Sequence, residues 1–204
     1  MNGKLGKRFI LKNLNEKSRF SQYEDSFTWL LNSNIGLFTY NVDNPVYPLL
    51  ASKERKLFKL FLCDTGLLSH YLYSDNIVKI LNNEVNVNYG SIYENVVAQE
   101  LKCHNYSLFY YNNKKNGEVD FIIEKGTEII PIEVKSGKDY KRHVALENLL
   151  NNTSYKINRA YTLCQGNIEC DKKRIYLPIY LIMFFKNIKN IDSKIINIDI
   201  SALT

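Results

Sequence analysis

Glycine, cysteine, histidine and long apolar runs are all scarce in this chain, and each shortage excludes a class of chemistry. There are nine glycines in 204 residues. None is arranged as G-x-x-x-x-G-K-[ST], so no loop can cradle the phosphates of ATP and the chain is not itself an ATPase. The four cysteines, Cys63, Cys103, Cys164 and Cys170, form no C-x-x-C pair and lack the histidine spacing of a zinc site. Residues 1–14 carry charges throughout and lack a long apolar core, so they are not expected to act as a secretory leader. The cysteines therefore read as reduced thiols of a cytoplasmic protein. His70, His104 and His143 have no nucleophile partner by motif, which leaves serine or cysteine catalysis unsupported. The longest apolar run, residues 175–185, contains a proline and is too short to cross a bilayer, so no membrane role is expected.

The composition that remains is that of a globular protein, 45% hydrophobic and 24% charged. The net charge of +6 is compatible with a nucleic-acid partner, because neutralising phosphates drives such binding. The abundance of Lys, Asn, Ile and Tyr also fits an AT-rich genome, so part of this composition need not be functional.

Periodicity orders the elements. Apolar residues at helical spacing predict a first helix over residues 21–32, ended by Ser33-Asn34-Ile35-Gly36. Strands are expected over residues 37–42 and 56–63. A helix followed by two paired strands resembles a winged-helix-like unit. Without a dense basic recognition helix, it reads as a packing adaptor rather than a DNA reader. Asp64 is expected to cap a short helix over residues 67–72, and residues 74–88 to connect two halves. The second half begins with a helix over residues 90–104. A short strand follows at 107–111, then a polar loop with Lys114 and Lys115, which read as solvated. After a hairpin come a helix over 140–150, a strand over 157–164, an apolar segment to 185 and a short edge strand at 194–200. Lys138, Lys141, Arg142 and His143 gather at the start of the 140–150 helix, where cations oppose the helix dipole. A phosphate backbone or neighbouring acids would favour them there.

The hairpin itself spans residues 117–135, GEVDFIIEKGTEIIPIEVK. Its strands are expected over 118–124 and 128–135, with Lys125-Gly126 at the turn. Strand alternation puts Val119, Phe121 and Ile123 on a face with Ile130, Ile132 and Val134. Glu118, Asp120, Glu133 and Lys135 take the other face, with Asp120 opposite or one diagonal step from Glu133. Two carboxylates that close repel unless a cation lies between them. Mg²⁺, which takes oxygen ligands, is one such cation, and Lys135 could orient or deprotonate a bound water. The same pattern also describes a solvated face with Lys135 neutralising Glu133. On the 90–104 helix, Glu94 falls beside Val97, Ala98 and Leu101, but Glu100 lies within the same arc, so the wheel does not single it out.

The D…E-x-K pattern of Asp120, Glu133 and Lys135 resembles the PD-(D/E)XK nuclease-like superfamily, with Val119 where that motif has proline. Four ordered stretches, LFKLFLCDTGLL (57–68), YGSIYENVVAQEL (89–101), GEVDFIIEKGTEIIPIEVKSG (117–137) and RIYLPIYLIMFF (174–185), resemble the uncharacterised domain that follows the P-loop module in prokaryotic AAA-type ATPases. The resemblance implies an α/β (α+β) fold with a restriction-endonuclease-like αβββαβ core, over residues 76–204, preceded by the winged-helix-like unit, over 1–75. It implies Mg²⁺ or Mn²⁺ held by Asp120, Glu133, the Val134 carbonyl and Glu94, with Lys135 at the attacking water. It implies DNA as a partner, and a P-loop ATPase module on a missing N-terminal part or on another chain. Non-catalytic nucleic-acid binding or ATPase docking is the alternative.

Overall fold

The computed structural model describes residues 22–187, apart from 83, 85 and 86. The basic residues 1–18 and the edge strand expected at 194–200 lie outside the described residues.

The chain builds a mixed sheet flanked by helices. Helix α1 (Glu24–Asn32) leads into β1 (Gly36–Val42) and β2 (Lys53–Leu62). Helices α2 (Thr65–Tyr73) and α3 (Ile77–Leu81) follow, then α4 (Gly90–Cys103). Next come β3 (Phe109–Asn113), β4 (Gly117–Lys125), β5 (Glu128–Val134) and α5 (Val144–Asn151). Strands β6 (Ala160–Cys164), β7 (Glu169–Asp171) and β8 (Arg174–Pro178) complete the sheet. Among the described residues its eight strands run in the order β2-β1-β3-β4-β5-β6-β8-β7. The expected sequence of helix, three strands, helix and strand is present as α4, β3–β5, α5 and β6.

The first helix and two strands do not stand apart as a winged-helix-like unit. β1 pairs antiparallel with β2 on one side and parallel with β3 on the other, so both belong to the one sheet. The sheet therefore takes strands from both sides of residue 75. The physical reason is an apolar continuity that the sequence pattern alone did not reveal. Leu37 and Phe61 pack into the same core as Val97, Ala98 and Leu101 of α4. Residues 74–88, expected as a plain connection, hold the short helix α3.

Each sheet face has its own core. On one side, α4 covers Phe121, Ile123, Ile130, Ile132, Val134 and Leu163. On the other, Leu146 and Leu149 of α5 cover Val119, Ile122, Ile129 and Ala160. Phe27 of α1 extends that second layer onto Phe38 and Phe58, with Tyr40 touching both groups. The α5 helix begins at Val144, so Lys138, Lys141 and Arg142 lie in the exposed loop before it. Lys141 there is paired with Glu169 at 2.9 Å, a neighbouring acid.

The hairpin register sets up the site. Lys125 pairs with Glu128 and Phe121 with Ile132. The turn is therefore Gly126-Thr127, one step beyond the expected position, with Gly126 at φ +63°. This register brings Asp120 level with Glu133. One expectation of the alternation fails. Val119 belongs to the α5-side core with Ile122, not to the α4-side core with Phe121. Residues three apart on a regular strand point opposite ways. The pairing with β3 explains the break: Phe109 pairs with Ile122, and Tyr111 with Val119, so β4 carries an extra residue at Asp120–Phe121. A bulge of this kind re-aims side chains and is frequent beside functional sites.

Candidate functional site

Asp120 sits at that bulge and is shared between two groups of charges. One oxygen, Oδ1, lies 3.5 Å from the Lys59 ammonium. The other, Oδ2, accepts the Val134 backbone N–H at 2.9 Å. On the α4 side, the Lys59 ammonium also meets Glu118 at 2.7 Å and Glu94 at 3.6 Å. It lies 5.3 Å from the centre of the Tyr110 ring. On β5, Glu133 alternates with Ile132 and Val134 of the α4-side core, and so leaves the strand on the α5 side. There its Oε1 accepts from the Lys135 ammonium at 2.6 Å. Four carboxylates and two ammonium groups thus meet at this end of the sheet.

Local structure holds each member in place. The Asn95 side chain, buried in α4, accepts the Leu62 N–H at 2.8 Å and donates to the Leu62 carbonyl and to Thr65 Oγ1, both at 3.0 Å. Gln99 accepts from the Thr65 N–H and hydroxyl at 3.0 and 2.9 Å. These contacts lock the end of β2 to α4, and with it Lys59 to Glu94. Asp64 caps α2 as expected, accepting from the Gly66 and Leu67 amides. Asn112 on β3 donates to Glu118 at 2.6 Å.

The electrostatics follow from burial. Loss of water and the negative charge of Asp120 push the Glu94 carboxyl up to about 8, against the pull of Lys59. The same two causes push Glu133 up to about 7, against Lys135. Burial disfavours the Lys59 charge, yet Asp120, Glu94 and Glu118 together hold its ammonium well above the ordinary lysine value. Lys135 is likewise raised, burial being outweighed by Glu133. One oxygen of Glu94 and one of Glu133, both Oε2, are buried without a hydrogen-bond partner.

The sequence-derived residues therefore meet, with two corrections. Glu118, Asp120, Glu133 and Lys135 do not share one face: the cluster straddles the sheet's end, with Asp120 between its halves. Val134 joins the cluster through its N–H. Among the described residues, no three His, Cys, Asp or Glu side chains converge as metal ligands. Both Asp120 oxygens are engaged by Lys59 and Val134, and Lys135 holds one oxygen of Glu133. Oxygen donors are nevertheless the kind that a hard divalent cation takes. The set consists of carboxylate oxygens, two of them shielded from water and without a hydrogen-bond partner.

Sequence reasoning missed Lys59, Asn95 and Glu118 as members of the site. Lys59 carried a signal: it is the one charged residue inside the run Leu57-Phe58-Lys59-Leu60-Phe61-Leu62. A lysine in such a run is buried only when paired, and here it is 3% exposed. Asn95 gave no pattern, since a polar residue one step from an apolar stripe is ordinary.

The fold and cluster define a mixed α/β protein with a buried carboxylate–lysine site at one end of its sheet. Residues 89–182, just under half of the chain, match the family described as a domain of unknown function, DUF4143. That segment carries Glu94, Glu118, Asp120, Glu133 and Lys135, whereas Lys59 precedes it. No curated protein and no solved structure matches the chain. Among the described residues, no helix is long and apolar enough to cross a membrane.

Proposed function

We propose that the cluster is the site of a Mg²⁺- or Mn²⁺-dependent phosphodiesterase acting on DNA, built on a PD-(D/E)XK nuclease-like, restriction-endonuclease-like core. The observation that carries this reading is a buried surplus of negative charge. Among the described residues, Glu94, Glu118, Asp120 and Glu133 face only Lys59 and Lys135, and two buried carboxylate oxygens, Oε2 of Glu94 and of Glu133, lack a hydrogen-bond partner. Ionised, a surplus of this kind is costly to bury unless a proton or another cation joins it, and Glu94 and Glu133 without metal keep protons into the neutral range. When bound, a divalent ion would polarise a phosphodiester and lower the pKa of its water toward neutrality. Asp120, Glu133 and Glu94 would hold it, with the Val134 carbonyl beside them. Lys135, a third exposed and anchored on Glu133, would orient the attacking water or meet charge on the phosphoryl group. The net charge of +6 favours a polyanionic substrate. The ordered resemblance described above adds a partner: a P-loop ATPase module, on another part of a longer AAA-type protein or on another chain.

A second reading is a non-catalytic module, for nucleic-acid binding or ATPase docking, in which the acids form an ion-paired scaffold. It is favoured by the Lys59 ammonium, which already engages three carboxylates. Calorimetric titration with Mg²⁺ and Mn²⁺, alongside plasmid nicking, separates the two. The native chain is expected to bind metal and nick, and Asp120→Asn and Glu133→Gln to lose both. Asparagine retains an acceptor for the Val134 N–H, so loss in a folded Asp120→Asn chain reports the missing charge. Absence of binding and nicking with either metal in the native chain supports the scaffold.

A further inference from the structure

The charges of the cluster are unevenly placed. Fully ionised, its α4-side half holds Glu94 and Glu118 around Lys59, and its α5-side half holds Glu133 against Lys135, with Asp120 shared. Four negative and two positive charges leave a surplus of two, the charge of one divalent ion. The Lys59 side chain is 4% exposed, and its ammonium lies within 3.6 Å of three separate carboxylates. That is the surrounding expected of a bound cation, supplied here by a side chain. Its strand, β2, lies outside the family segment, which by itself lacks this partner of Glu94 and Glu118. In the half with Glu133 the cation is Lys135, a third exposed and bound to a single carboxylate through Oε1, while Glu133 Oε2 is buried without a hydrogen-bond partner.

We infer that Lys59 is a built-in cation holding the place of a second metal ion, so that the site takes a single divalent ion on the Asp120–Glu133 side. This rests on the metal reading proposed above and sharpens it. Lys59 is a positioning residue: it fixes Asp120 and Glu94 from behind and limits the number of ions. Removing its charge, as in Lys59→Met, opens a second position between Glu94, Glu118 and Asp120. Removing one carboxylate as well, as in Lys59→Met/Glu118→Gln, restores the original surplus of two.

The test is calorimetric titration with Mn²⁺, together with thermal melts at neutral pH with and without Mn²⁺, on the native chain and both variants. The native chain is expected to bind one equivalent. Lys59→Met is expected to bind two, and to melt lower than native without Mn²⁺ while regaining most of that loss when Mn²⁺ is added. The double variant is expected to return to one equivalent and to a melt that depends no more on Mn²⁺ than the native one. If Lys59→Met does not fold without metal, recovery of its circular-dichroism signal on adding Mn²⁺ supports the inference, and lack of recovery overturns it. One equivalent in both native and Lys59→Met chains, with no Mn²⁺-dependent recovery, overturns the role of Lys59 and leaves the metal reading standing. Binding by Lys59→Met alone keeps Lys59 as the place-holder and removes the metal from the native site. Silence in all three chains overturns both.

Discussion

The carboxyls of Glu94 and Glu133 are ordinary side chains in an environment that resists their charge. Their folded values, about 8 and about 7, lie above the ordinary glutamate value near 4.5. The folded state therefore holds protons that the unfolded chain has released, and without metal its stability falls as pH rises through that window. His143 acts at the other end. Burial, Lys135 and Arg174 lower it from 6.5 to about 4. Below 6.5 the unfolded chain takes up a proton that the folded one refuses, so stability also falls as pH drops toward 4. Urea midpoints of the metal-free protein are expected to peak between these limbs. Glu133→Gln should flatten the alkaline limb, and excess Mg²⁺ should raise stability at pH 8 far more than at pH 5. An alkaline limb unchanged by both would contradict the buried-surplus account.

Among the elements, β4 does the decisive positioning. Its extra residue turns Asp120 away from the regular alternation and lets one carboxylate serve both halves of the cluster. The strand's start is tightly fitted too. Gly117 has φ +91°, and a Cβ there would stand 2.9 Å from Ala145 Cβ of α5. Gly117→Ala meets both a strained backbone and a backbone-anchored neighbour, and should cost about 1–3 kcal/mol in a urea titration. Across the molecule, Asn95 bonds both backbone groups of Leu62. Asn95→Ala strands these partly buried groups and should cost about 2–3 kcal/mol. It should also weaken Mn²⁺ binding by loosening Glu94 from Lys59. Loss of stability with unchanged metal affinity would show that the β2–α4 lock is structural only.

At the scale of the molecule, the sheet unites segments that read as separate. The β1–β2 pair supplies Leu37 and Phe61 to the α4-side core and Lys59 to the site. A chain cut to residues 89–182 loses that cover over β3 and the counter-ion of Glu94 and Glu118 together. It is expected to lack the near-ultraviolet dichroism of the native protein and to aggregate at neutral pH. A soluble, cooperatively melting fragment would show that the family segment is self-sufficient.

Element type and chain order were legible in the sequence because hydrophobic period is a local property. Helix α4, the hairpin β4–β5, the Asp64 cap and the grouping of Asp120, Glu133 and Lys135 all follow from spacing within a few residues. Glu94 was visible only as one of two acids on an apolar arc. The bulge at Asp120, the passage of β1 and β2 into the main sheet, and the burial of Lys59 among three carboxylates were decided by tertiary structure alone. Each depends on partners far along the chain: Lys59 and Asp120 are 61 positions apart. Whether a buried charge is tolerable is set by the charges the fold brings around it, and no local pattern records those.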